Sequence, residues 1–107
     1  YPFSMTNWNM RPLGVQVYAL AYRSGEAWNE SGYANPDFDA KLAQALATAD
    51  VEARRVIMAD LQAMLQGDGV LIQPYWQNVY SHSTPKLKGY RVHQTFEMDL
   101  GGVWLEA

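Results

Sequence analysis

The sequence predicts an α/β fold in which a two-helix hairpin is followed by strands. Apolar residues recur at helical spacing over 36–48 and again over 51–66, each run behind a capping residue. Short β-type runs flank that pair, at 3–8 and 70–76. The order strand, irregular segment, helix, helix, strands is a mixed pattern rather than all-α or all-β.

The first element is a strand at about Phe3–Trp8, short, aromatic and partly alternating. The stretch "GVQVYALAY" (14–22) stays open between two forms. Val15, Val17 and Ala19 alternate as in a strand, whereas Val15, Tyr18 and Tyr22 suit a helix; a short helix or irregular segment is favoured. Asn35-Pro36 then starts a helix over 36–48. The Asn side chain can accept an orphan N–H, and Pro at the first helical position loses no intrahelical donor. Asp37 and Asp39 suit the positive end of the helix dipole. Phe38, Leu42, Ala45 and Leu46 form its apolar face.

Asp50 caps a second helix, about 51–66, with Ile57, Leu61, Met64 and Leu65 as its buried stripe. Gly67 occupies the place of a left-handed residue after the helix. The short link makes the two helices an antiparallel hairpin. "VLIQPYW" (70–76) is a β-type run in which Pro74 marks an edge or bulge, and 78–83 continues it. A turn over Pro85–Gly89, a weakly alternating 90–98 and a last short strand in 101–107 complete the chain.

A chain of 107 residues with 49% hydrophobic and 18% charged residues makes one globular domain rather than a disordered tail. A net charge of −3, with no basic run beyond Arg54-Arg55, argues against nucleic acid as a partner. The absence of cysteine excludes disulfide and thiolate–metal scaffolds. The opening "YPFSMTNW" is aromatic and apolar at once and reads as entry in mid-fold, so the chain is expected to be a piece of a longer one.

No catalytic or cofactor motif is present, and neither an enzyme nor a bound cofactor is expected. His82 and His93 are too far apart for a local ligand pair. In Ser81-His82-Ser83 an extended chain points neighbours to opposite faces, which disfavours a Ser–His dyad. Asp37 and Asp39 read as helix-start residues before an acid–base pair. More suggestive are "TNWNMRP" (6–12) and "AWNESGY" (27–33), which each set Trp beside Asn. A large flat ring and an amide with both donor and acceptor suit an apolar cleft with a few directed polar groups. Core anchors and turn-forming Asn residues fit the same pattern equally well.

Over most of residues 3–92 the chain bears a resemblance to a known family. Asn35-Pro36-Asp37-Phe38-Asp39, Asp50 with Arg54, Gln62 with Leu65, Leu71-Ile72-Gln73-Pro74 and Lys88-Gly89-Tyr90 follow one another as in the C-terminal part of the peptide/nickel-binding family of ABC-transporter solute-binding proteins. The resemblance implies part of the C-terminal lobe of a much longer two-lobed, periplasmic-binding-protein-like fold, located in the periplasm or anchored outside the cytoplasm. It implies non-catalytic capture of a small or peptide-like solute and its delivery to a membrane permease. The chain's partners would then also include the remainder of its own polypeptide.

In peptide-binding members a cleft Trp precedes, by three residues, an Asp that pairs with the peptide ammonium. Trp8 matches the Trp, but Arg11 stands at the Asp position. An Arg cannot pair with an ammonium; facing the cleft, it would take a carboxylate or phosphate. It equally suits a side chain pointing to solvent. The implied ligand residues are Trp8, Asn7, Asn9 and Arg11, with Trp28, Asn29 and Tyr33 for the wall or mouth of the cleft. Strand alternation would put Asn7 and Asn9 on the face opposite Trp8. The competing expectation is a free-standing interaction domain that uses the 36–66 hairpin.

Overall fold

The structure is a computed structural model and describes residues 3–93, 95 and 97–107. Among the described residues it is a small mixed fold of three helices and a two-stranded sheet, compatible with the α/β class. The chain divides into two compact units. One is Arg11–Pro74; the other comprises the described residues of Tyr1–Met10 and Tyr75–Ala107.

The Arg11–Pro74 unit is helical. The open choice at 14–22 resolves as α1, Gly14–Ala21. A helix satisfies its backbone locally, and here Gln16 helps at the start: its Oε1 accepts the Leu13 backbone N–H at 3.2 Å. Helical spacing then buries Val15 and packs Tyr18, Ala19 and Tyr22 against the core.

α2 is Pro36–Ala47 and begins as its sequence dictates. Asn35 Oδ1 accepts from the backbone N–H groups of Asp37 at 3.0 Å and Phe38 at 3.2 Å. Phe38, Leu42 and Ala45 are buried, but Leu46, which helical spacing sets on the same face, is exposed. α3 is Val51–Gly67, with Asp50 Oδ1 accepting from Ala53 N–H at 2.8 Å. The three residues between them force an antiparallel pair. Lys41 Nζ meets Asp60 Oδ2 across the pair at 2.6 Å, and Leu61 and Leu65 close the core against Phe38 and Leu42.

The end of α3 corrects one expectation. Gly67 lies inside the helix, and the left-handed residue is Gly69, at φ 63°. Gly69 N–H donates to Gln66 O at 3.3 Å and Val70 N–H to Leu65 O at 3.2 Å, the bond pattern of a Schellman motif. In this motif an apolar residue after the glycine commonly folds back on the helix. Val70 follows Gly69 and packs on the core, whereas Asp68 follows Gly67.

In the other unit the only strands among the described residues are β1, Leu87–Lys88, and β2, Trp104–Leu105. They pair antiparallel, Leu87 opposite Leu105 and Lys88 opposite Trp104. Glu106 N–H to Lys86 O at 2.9 Å and a Lys88–Glu106 ion pair at 3.1 Å extend the pairing. The turn expected over Pro85–Gly89 thus contains a strand, and Gly89 leaves it at φ 75°. The last short strand falls where 101–107 placed it.

The other strand expectations are not met. Residues 3–8, 70–76 and 78–83 form no strand. β-type sequence is only half of a strand; the other half is a neighbour to satisfy the ladder, and the described residues provide none there. Of the 90–98 segment, Gln94 and Phe96 lie outside the described residues, as do Tyr1 and Pro2 at the chain start; the described part of 90–98 has no strand.

Candidate functional site

The loop between α1 and α2 carries Trp28, Asn29 and Tyr33, and its order comes from side chains bonding to backbone. Gly25 and Gly32 take left-handed φ of 75° and 66°, which lets the chain double back. Asn29 sits at the centre. Its Nδ2 donates to the carbonyls of Arg23 at 3.0 Å and Tyr33 at 2.7 Å, while its Oδ1 accepts from Ser31 Oγ at 2.8 Å. Ser31 Oγ in turn accepts from Tyr33 N–H at 3.2 Å. Asn29 thus has both donors and its acceptor engaged inside the loop. Trp28, next to it, is 56% exposed.

Two carboxylates tie this loop to the hairpin. At the near end, Asp39 Oδ1 accepts from Ser24 N–H at 3.1 Å, so an acid of the first turn of α2 also holds the loop. At the far end, Asp68 Oδ2 accepts from Tyr33 OH at 2.7 Å and from Asn35 Nδ2 at 3.1 Å. The Tyr33 ring stands edge-on to Phe38, with centroids 5.3 Å apart. Burial first, then the neighbouring Asp68, pushes the Tyr33 phenol up to about 12. The hydrogen bonds from Tyr33 and Asn35 hold the Asp68 carboxyl below the usual carboxylate range.

The other sequence-chosen residues are placed differently. Asn7 and Asn9 are exposed and Trp8 is half-buried, in a segment without strand geometry, so strand alternation does not set their relative faces. Arg11 is half-buried just before α1 and belongs to the helical unit, whereas Asn7, Trp8 and Asn9 belong to the other. Ser81, His82 and Ser83 are all exposed. No group of His, Asp or Glu among the described residues could hold a metal ion.

Sequence reasoning missed two features. One is Asp68, whose partners are 33 and 35 residues distant, beyond any local pattern. The other is a cavity of about 490 Å³ lined by Gly89, Arg91, Val92, His93, Glu97, Asp99 and Gly102. Beside it runs a side-chain chain from His93 Nδ1 to Thr95 Oγ1 at 2.8 Å and from Thr95 Oγ1 to Glu97 Oε1 at 3.1 Å. The signal for it was the recurrence of polar and charged residues at Arg91, His93, Thr95, Glu97 and Asp99. Comparisons with protein-family profiles, with characterised proteins and with solved structures find no significant match to this chain.

Proposed function

We propose that the chain is part of the C-terminal lobe of an extracytoplasmic solute-binding protein of the peptide/nickel-binding family. On this reading it captures a small, peptide-like or anionic solute without chemical change. Closure of two lobes holds the solute until it passes to the membrane permease of an ABC importer. The ordered motifs from Asn35 to Tyr90 support the family. One structural observation carries the idea of a larger whole. The run "VLIQPYW" reads as a buried strand, yet it has no strand partner among the described residues, with Ile72 79% and Trp76 86% exposed. Large apolar side chains left this exposed in a β-type run suit a contact with another segment, and on this reading the cover is the remainder of the same polypeptide.

Trp8 offers a stacking face, Asn7 and Asn9 directed hydrogen bonds, and Arg11 a fork for a carboxylate or phosphate. Trp28, Asn29 and Tyr33, on the 23–35 loop of the helical unit, are the further candidates for the wall or mouth of the cleft. The test is solute affinity in the full-length source protein, measured by calorimetry with the solute that native mass spectrometry finds bound. Trp8→Ala should weaken binding by about 3- to 10-fold, the worth of one aromatic contact. Arg11→Ala should weaken an anionic solute by about 10- to 100-fold, the worth of a charged hydrogen bond. Unchanged affinity in both variants, or no bound solute in the intact protein, would refute the proposal.

A further inference from the structure

We infer that Asp68 is a positioning residue for the 23–35 loop: it fixes, from the end of α3, the single loop conformation that presents Trp28. The inference rests on the proposed role of Trp28 only for its purpose, since loop order can be read without any solute.

A carboxylate at this place is not explained by its own helix. The C-terminal end of a helix carries the negative end of the dipole, where an anion is unfavourable. The last turn of α3 holds no basic residue to offset it. What Asp68 gains is external. Its Oδ2 receives both Tyr33 OH and Asn35 Nδ2, so the residue after α3 is bonded to the residue before α2 and to the end of the loop. From Tyr33 the connection continues without a gap. The Tyr33 carbonyl accepts from Asn29 Nδ2, which also donates to Arg23 O, and Asn29 N–H donates to Glu26 O at 3.0 Å. Trp28 is the residue between these bonds, and its carbonyl accepts from Glu30 N–H at 3.0 Å. The loop's other end has its own anchor, Asp39 on Ser24 N–H.

The charged and titratable groups that face this junction are Asp68 itself, Tyr33 and, more distantly, Asp39. With the carboxyl held low and the phenol held high, the junction keeps its protonation state between the acid and alkaline extremes. With Asp39 on Ser24 at one end and Asp68 on Tyr33 and Asn35 at the other, the loop is held without a ligand and forms a preformed wall.

Native-state amide exchange of the full chain tests this, with the indole N–H resonance of Trp28 as a second reading. In Asp68→Ala the amides of Asn29, Gly32 and Tyr33 should exchange about tenfold faster, while Leu42 and Ala45 in α2 keep their protection. Asp68→Asn retains an oxygen acceptor for both donors and should restore most of the loop's protection. Tyr33→Phe keeps the ring against Phe38 and should loosen the same amides, so the idea stays testable should Asp68→Ala fail to fold. Equal acceleration in the loop and in α2, unchanged exchange at the loop, or Asp68→Asn behaving as Asp68→Ala would overturn it.

Discussion

Asn35 performs two tasks with one amide: its oxygen starts α2 and its nitrogen reaches Asp68 at the end of α3. The first task was legible in Asn-Pro, because capping is local; the second was not, because the partner is 33 residues away. Asn35→Ala should therefore cost more than an ordinary cap, about 1–2 kcal/mol, against ~1 kcal/mol for Asp50→Ala, measured by urea unfolding. Tyr33 sets an alkaline limit. Its phenol ionises near 10 in an unfolded chain and near 12 here, so the folded state prefers the neutral form. That stability is complete below pH 10 and is lost as pH rises toward 12; in urea unfolding Tyr33→Phe should lessen the alkaline decline, leaving the part due to Tyr18 and Tyr22, whose phenols burial also raises. Asp68 acts in the opposite sense, since its carboxyl is held low: its contribution is complete above the usual carboxylate range and fades on acidification. Gly89 is irreplaceable for two reasons. Its φ of 75° disfavours any side chain, and an added Cβ would lie 2.0 Å from the Gly102 carbonyl oxygen. Gly89→Ala should abolish the β1–β2 pairing, seen as loss of amide protection at Glu106.

At the scale of elements, the hairpin was written plainly. Asn35 and Asp50 set both starts, and the 3.6-residue spacing named Phe38, Leu42, Leu61 and Leu65 as core. Leu46 shows the limit of periodicity. It belongs to the same stripe by spacing, yet it is exposed, because burial depends on what stands opposite. Because Phe38, Leu42 and Leu61 are wholly buried in a small core, Leu42→Ala should cost about 2–5 kcal/mol and unfold the helical unit, as followed by far-ultraviolet circular dichroism. The Lys41–Asp60 pair is half-exposed, and Lys41→Ala should move stability by less than ~1 kcal/mol.

At the scale of the whole molecule, the apolar surface left open is the dominant fact. Ile72 and Trp76 lie in a run that reads as buried strand, and their exposure should make the chain bind a hydrophobic dye such as ANS and self-associate. The double substitution Ile72→Thr and Trp76→Ser should reduce dye fluorescence and raise the monomer fraction in sedimentation velocity. In the source protein the same changes should instead destabilise, if that surface is covered there. The sequence by itself determined the two helices of the hairpin, their caps and most of its buried face, because each depends on bonds and contacts a few residues long. Only the tertiary structure decided that Gly14–Ala21 is a helix, that Gly69 rather than Gly67 ends α3, and that Asp68 bonds to Tyr33 and Asn35. It also decided which β-type runs become strands: 87–88 and 104–105 do and 70–76 does not, since a strand exists only where a distant segment meets its hydrogen bonds.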